Sequence, residues 1–530
     1  MGERLSLCMV VRDEEKDLPR CLDSVRGVAD EIVIVDTGST DQSVAIAHRY
    51  GAIVREIPWR NDFAAARNAS LQFASGDWVL FLDADEALLP DGRHLLPALL
   101  SDPTAEGYFL TIQNLMGPQH EAQYQCDSVF RLFRNRPLYR FIGAIHEQIL
   151  SVIQTVTPGA NILQSPLRII HYGYLEEYVR GKEKRRRNLR LLQDGLATRP
   201  SDPFLLYNVG MEHARLGMHH QAQKAFVAGL AKAPLDAPWR PALVKWYGNA
   251  LSRQQRWQAA LTVLTEGTRQ YSDYTDLHYL IGCAHGALGQ WDEAIHSFEA
   301  CIKLGPAPCP PYSSTEPELG SSKAHYSLGR ALEGAGRYGD ARAAYTRAAS
   351  ARPGWMPPLG RLVRLIARQG DDQEITRVLE GHFPGDSGSD QVMQALLLAY
   401  AGRYQLAFDR LKPLAATGEI SRAAGFVFAL TLAKLGRHAE ALGICVQAGW
   451  QGNSFLPKIR ALTLYCRMGM NDWAVVRELT GDRKGLQALY TDLAALLWDE
   501  PAGHLTQLLR QLPRNSLLSE LMKKARQDEW

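Results

Sequence analysis

At 530 residues, with 46% apolar and 22% charged side chains, the chain has the make-up of soluble globular protein and more length than one core usually serves, so two or more domains are expected. A net charge of +2 gives no bulk pull toward nucleic acid or an acidic membrane surface. No run of about 18 uncharged apolar residues could span a bilayer, Met1-Gly2-Glu3-Arg4 does not begin a signal peptide, and eight scattered cysteines without a Cys-x-x-Cys pair read as reduced thiols and not a zinc site, so a cytoplasmic protein is expected.

The first 200 residues alternate strand and helix patterns. Leu5–Val11 reads as a strand, 17–26 as a helix and 31–35 as a second strand, closed by the turn Asp36-Thr37-Gly38-Ser39-Thr40-Asp41. A helix over 42–50, a strand over 52–57 and a helix from 63 to 74, capped by Asn61 or Asp62, follow. Trp78 to Leu82 is then an unbroken apolar run, the pattern of a strand covered on both faces, and it runs into Asp83-Ala84-Asp85-Glu86. Without hairpin signals this alternation predicts a parallel α/β sheet. Asp36 and the Asp83/Asp85 pair then fall on the carboxyl edge, where open α/β sheets bind ligands. Asp83 and Asp85, two apart, point the same way in extended backbone and suit Mg²⁺ or Mn²⁺ holding a diphosphate; a solvated acidic turn is the alternative. Neither a Gly-x-Gly-x-x-Gly fingerprint nor a P-loop is present, which disfavours a Rossmann dehydrogenase or a P-loop nucleotidase.

Three ordered motifs, Val33 to Asp41, Asp62-Phe63-Ala64-Ala65-Ala66-Arg67-Asn68, and Gly76-Asp77-Trp78 to Asp85, resemble family-2 glycosyltransferases of the A-type fold, over residues 4–190. The resemblance extends to a bacterial subgroup with downstream His-Glu and His-Tyr-Gly-Tyr motifs, here His146-Glu147 and His171-Tyr172-Gly173-Tyr174. That subgroup includes lipopolysaccharide-core glucosyltransferases and the S-glycosyltransferases that modify bacteriocin peptides. The resemblance implies that Asp36 hydrogen-bonds the nucleotide base, Arg67 approaches the diphosphate, Asp83 contacts the ribose and Asp85 binds the metal. One departure is Asp13-Glu14, where the family usually has Asn-Glu, which leaves a nucleotide contact by Asp13 open.

His171 follows the apolar run 167–170 and is the second metal ligand expected, imidazole plus carboxylate being acceptable to Mn²⁺; a structural histidine is the alternative. Glu147 suits the general base of an inverting sugar transfer, unless it orients His146 or pairs with Arg131, Arg134 or Arg136. The dense basic run 181–190 reads either as a solvated helix face or as the source of Lys184 or Arg187 closing over the leaving diphosphate.

Beyond residue 200 the strand patterns vanish. Gly210/Gly217/Ala222/Phe226/Pro234 recurs as Gly282/Gly289/Ala294/Phe298/Pro306 and Gly329/Gly336/Ala341/Tyr345/Pro353, with a weaker copy at Gly248/Gln255/Ala260/Leu264. The turn position continues at Gly370, Gly402, Gly436 and Gly469, and the steps bracket the 34-residue tetratricopeptide unit. One longer step holds the proline-rich insertion 306–314, either a lip on the groove or a tolerated surface insertion.

The expected architecture is therefore an A-type α/β glycosyltransferase domain over 1–195, about eight tetratricopeptide repeats forming an all-α superhelix over 196–484, and capping helices over 485–530, including 486–498 and 504–512. The expected function is metal-dependent, inverting transfer of a sugar from a nucleoside-diphosphate donor, with uridine expected, to a peptide or protein acceptor held in the repeat groove. A cell-surface glycan is the second acceptor class, and self-association into a homodimer the second use of the repeats. A non-catalytic scaffold with a decayed sheet domain and a nucleotidyltransferase are the rivals from other classes.

Overall fold

The computed structural model describes residues 2–116, 123–175, 181–309, 311–385, 387–416 and 422–447, with backbone alone at 123, 181–185, 422–423 and 445–447. The repeat predicted around Gly469 and the capping helices 485–530 lie outside the described residues. Residues 1–335 form one compact unit and 336–530 a second. Among the described residues no helix is long and apolar enough to cross a membrane.

The first unit opens with β1 (Leu5–Val11), α1 (Leu18–Ser24), β2 (Glu31–Asp36), α2 (Ser43–Arg49), β3 (Ile53–Glu56), α3 (Phe63–Leu71) and β4 (Trp78–Phe81). All four residues of β4 are buried, as an unbroken apolar run in a strand covered on both faces requires. The chain continues through β5 (Glu86–Leu88), α4 (Leu96–Leu100), β6 (Ala105–Met116), β7 (Gln123–Arg134), α5 (Leu150–Val156) and β8 (Asn161–His171). Sheet order is β3-β2-β1-β4-β7-β6-β8-β5. The strands β1 to β4 are parallel, as expected. The rest departs from a purely parallel plan: β7 runs antiparallel to β4 and β6, β6 and β8 are parallel, and β5 is an antiparallel edge strand. The cause is a long hairpin, β6 and β7, folded into the middle of the sheet where the first half predicted only crossovers.

Helices α6 (Gly181–Thr198), α7 (Pro203–Arg215), α8 (His219–Leu230), α9 (Arg240–Arg253), α10 (Trp257–Gln270), α11 (Thr275–Ala287), α12 (Trp291–Leu304) and α13 (Ser322–Gly334) complete the first unit. The repeat pattern has a steric origin. A Cβ on Gly210 would stand 2.3 Å from the Phe226 ring, one on Gly248 2.4 Å from Leu264, and one on Gly282 2.7 Å from Phe298. Each pair thus closes a large apolar side chain of its second helix onto the bare backbone of its first. The turns between paired helices pass through the left-handed region, at Gly217 and Gly289 but also at Gln255, whose φ is 57°.

The insertion is no tolerated surface loop. Thr315, fully buried, exchanges two backbone hydrogen bonds with Cys126 of β7, at 2.8 and 2.7 Å, while Tyr312 stacks on Tyr274 at 4.4 Å between ring centroids. It is a strap between the helices and the sheet.

The second unit holds α14 (Tyr338–Ala351), α15 (Met356–Gln369), α16 (Asp372–His382), α17 (Gly388–Tyr400), α18 (Tyr404–Ala416), α19 (Arg422–Lys434) and α20 (His438–Gln447). The repeat alanines Ala341, Ala407 and Ala441 are fully buried.

Candidate active site

The site lies where β1, β2 and β4 end. Asp36, the last residue of β2, is buried and accepts from the backbone N–H groups of Gly38 and Ser39, both at 2.9 Å, and from the Ser39 hydroxyl. Asp13, after β1, takes a left-handed conformation and accepts from the Thr40 N–H at 2.7 Å and the Thr40 hydroxyl at 3.1 Å, while the Asp13 N–H donates to the Ser39 hydroxyl at 2.9 Å. Asp13 therefore shapes the turn that presents Asp36.

Beyond β4 the chain makes a closed turn. The Glu86 N–H donates to the Asp83 carbonyl at 3.0 Å, and the Asp83 N–H to the Glu86 carboxylate at 2.9 Å. Two arginines hold it. Arg131 of β7 pairs with Asp83 at 3.0 Å and with Glu86 at 2.8 Å. Arg67 of α3 pairs with Asp83 at 3.1 Å and with Glu147 at 2.5 Å, its guanidinium 4.6 Å from the Phe81 ring centroid. Burial works against ionising Asp83, but Arg131 and then Arg67 override it and hold the carboxyl well below the usual range. Burial pushes Glu86 up to about 7, with Arg131 opposing and Asp83 adding to the rise. Glu147 thus pairs directly with Arg67; of the three arginines weighed from sequence, Arg131 feels its charge without a direct pair, while Arg134 and Arg136 bind Glu3 and Glu106. It sits in a loop closed by reciprocal Ile142 and Gln148 backbone bonds at 2.9 Å, with His146 left-handed and its Nε2 buried without a partner. Burial, with Arg215 adding to it, lowers His146 to about 4, so it is neutral there.

Asp85 and His171 meet, Oδ2 to Nε2, at 3.2 Å, with side chains 18% and 16% exposed. Strand β5 achieves this by pairing Glu86 opposite His171 on β8. Asn114 of β6 decides the tautomer. Its Nδ2 donates to Asp127 at 2.7 Å, so its Oδ1 faces His171 Nδ1, also at 2.7 Å, and Nδ1 carries the hydrogen. Nε2 is then the nitrogen that presents a lone pair, or a second proton, to Asp85. Burial disfavours that second proton, but the Asp85 hydrogen bond and charge more than offset it and raise the His171 pKa.

The donor set fits a divalent cation. A Cβ on Gly173 would stand 2.2 Å from Asp85 Oδ2 and 2.6 Å from His171 Nε2, so only glycine leaves space beside both atoms. Among the described residues no three His, Cys, Asp or Glu side chains gather as a closed cage. Were a cation held by Asp85 and His171, two protein ligands would leave room for phosphate oxygens and water, as Mg²⁺ bound with a phosphate substrate commonly has.

Residues 6–121 match the family described as glycosyl transferase family 2, and residues 279–354 the tetratricopeptide repeat. A TPR repeat-containing protein of Synechococcus elongatus is 33% identical over 305 residues, which cover 54% of this chain and 74% of that one. The chain is a glycosyltransferase that carries a family-2 domain and tetratricopeptide repeats. The transferase is also 27% identical over 208 residues to the SPbeta prophage-derived glycosyltransferase SunS of Bacillus subtilis, covering 38% of this chain and 48% of SunS. Among solved structures, YrrB, described as a TPR protein with an unusual peptide-binding site, aligns with 34% of the transferase and 86% of its own chain, at 18% identity and a TM-score of 0.28.

Of the two basic residues singled out in 181–190, Arg187 of the transferase stands 5.6 Å from the Phe63 ring at the start of α3, and burial, with Arg12 adding to it, lowers its pKa. It therefore lies on the side of the site where β1 ends. The Lys184 side chain is outside the described residues. Sequence reasoning missed Asn114 and Glu86 and placed Arg131 only as a partner for Glu147. Asn114 sits in the middle of a 12-residue strand with no motif around it, so nothing local could have marked it.

Proposed function

We propose that the transferase is a metal-dependent, inverting enzyme that moves a sugar from a uridine-diphosphate donor to a peptide or protein acceptor. The observation that carries this reading is the Asp85–His171 pair facing the space kept by Gly173, beside the Asp83 turn. Mn²⁺ or Mg²⁺ held by Asp85 and His171 would neutralise the charge that builds on the leaving diphosphate. Asp36 accepts three hydrogen bonds within its turn and, as a carboxylate, keeps capacity for one more from the base. Asp83, kept ionised by Arg131, would accept from the ribose hydroxyls.

Arg67 divides its fork between Asp83 and Glu147. Diphosphate oxygens compete for the same guanidinium, whose geometry suits them. Donor binding would then loosen Glu147 and free it as a base. The acceptor atom attacks the anomeric carbon on the face opposite the nucleotide, the bond to the diphosphate oxygen breaks with its electron pair leaving on that oxygen, and the acceptor proton passes to Glu147. Arg187 would supply positive charge from the side of the site where β1 ends. The repeat helices favour an acceptor with extended chain, since stacked helix pairs commonly take a peptide.

The test is a thermal-shift screen of nucleotide sugars with and without Mn²⁺, followed by donor hydrolysis. A uridine donor should raise the melting temperature more with Mn²⁺ than without. Asp85→Ala should remove the Mn²⁺ increment and lower hydrolysis on the order of 10²–10³-fold. Equal stabilisation and turnover with and without metal would sink the reading.

A further inference from the structure

A line of buried and half-buried polar groups runs from the Asp85–His171 pair into the repeats. His171 Nδ1 donates to Asn114, and Asn114 Nδ2 donates to Asp127 Oδ2, each at 2.7 Å. The other Asp127 oxygen accepts from Gln125 Nε2 at 3.3 Å, and the same amide donates to the Ser314 hydroxyl on the strap. Behind Ser314, its carbonyl accepts from Tyr274 at 2.7 Å and from the Lys245 ammonium, which is paired with the fully buried Asp276 at 2.9 Å. Ser314 holds a left-handed φ of 72° to make these contacts, a conformation a serine rarely takes unless its surroundings impose it.

Each link sets the direction of the next. Burial raises the Asp127 pKa, with Lys245 and the Gln125 and Asn114 amides opposing the rise; as a carboxylate it is acceptor only, so Asn114 turns its NH₂ toward it and its oxygen toward His171. Were the amide reversed, His171 would carry its hydrogen on Nε2 and present no lone pair to a cation. A histidine ligand is commonly oriented by an acceptor of this kind, and losing it costs roughly 10- to 100-fold in metal affinity. The strap end fixes Asp127 through Gln125, and the strap exists only because the step between the third and fourth repeats is longer than its neighbours.

We infer that Asn114 and Asp127 are positioning residues for the metal, held in place from the repeat domain by the Ser314–Thr315 strap, so that the repeats build part of the transferase site. This rests on the metal reading proposed above.

Mn²⁺ affinity of the full-length protein, read from the free-ion signal in electron paramagnetic resonance without donor or acceptor, tests it. Asn114→Leu, similar in size but lacking an acceptor, should weaken Mn²⁺ about 10- to 100-fold while the melting temperature without metal reports intact folding. The exchanged double variant Asn114→Asp/Asp127→Asn keeps an acceptor at 114 and a donor at 127, and should return affinity to within about threefold of the parent. Gln125→Leu, which cuts the strap from Asp127, should weaken it about two- to tenfold, the worth of one or so hydrogen bonds. Parental affinity in Asn114→Leu, a double variant as weak as Asn114→Leu, or an unaffected Gln125→Leu would each overturn the inference. Asp85→Ala and His171→Ala separate this from the parent reading: if they lose Mn²⁺ while the Asn114 and Gln125 variants keep it, only the strap inference fails, and if they keep it the metal reading fails first.

Discussion

The sheet edge and the helix pairs of the first unit solve opposite problems with opposite materials. At the edge, Arg67 and Arg131 are shared among Asp83, Glu86 and Glu147, so each charge is held by groups from other segments. In the helix pairs at Gly210, Gly248 and Gly282 one large apolar side chain meets one glycine of the same repeat unit. Burying charge is costly unless it is paired, whereas an apolar contact needs only a matching gap. The edge is therefore a place where one deletion strands a neighbour, and the helix pairs a place where a misfit is met first by one apolar side chain.

The largest test of that contrast is Arg131→Met. It leaves the buried Glu86 unpaired and Asp83 with Arg67 alone, and should cost about 3–5 kcal/mol in denaturant unfolding, with loss of donor binding. A cost under about 1 kcal/mol would mean that these pairs are not cooperative in the way described. Gly248→Ala sharpens the other side. Its Cβ would fall 2.4 Å from Leu264, so about 1–3 kcal/mol should be lost to overpacking while transfer activity on a small acceptor is retained. Gln255→Gly should move the other way, gaining up to about 1 kcal/mol, because glycine takes the left-handed φ that its counterparts Gly217 and Gly289 already occupy.

The smallest effect expected is one of pH. Glu31, at the start of β2, accepts from the Ser75 hydroxyl at 2.9 Å, the Gly76 N–H at 3.0 Å and the Ser6 hydroxyl. Burial opposes its charge, but the Ser6, Ser75 and Gly76 donors outweigh that and hold its pKa below the ordinary 4.5. A carboxyl depressed by folding adds stability above its unfolded pKa and loses it as pH falls through the folded one. The difference in urea midpoint between the parent and Glu31→Gln should thus be constant above about pH 5 and shrink below it. A difference that grows on acidification would reverse the assignment.

Much of the layout was open to inspection before any coordinates. The apolar runs 5–11, 31–35 and 78–82 announced the strands that carry Asp36 and Asp83, and Asp62 caps α3 by accepting from Ala65 as its position suggested. The Gly–Ala–aromatic spacing marked the helix pairs. Three things were not open. The β6–β7 hairpin interrupts the parallel plan, Glu147 turns to Arg67, and the insertion docks on Cys126 of β7. The hairpin's placement sets Arg131 against Asp83, 48 positions away, the insertion reaches Cys126 across 189 positions, and Glu147 and Arg67 come from separate elements.

What consecutive residues decided is the kind of each element and the edge on which the acids lie, because strand and helix preferences, turn chemistry and the fit of an aromatic ring onto a nearby glycine all act over a few positions to a few turns. What only the assembled sheet decided is which charge meets which. Inserting β7 and β6 between β4 and β8 is what sets Arg131 against Asp83 and Asn114 against His171. No local pattern carries that information, since an ion pair or a tautomer depends on whatever side chain the topology delivers within a few ångströms.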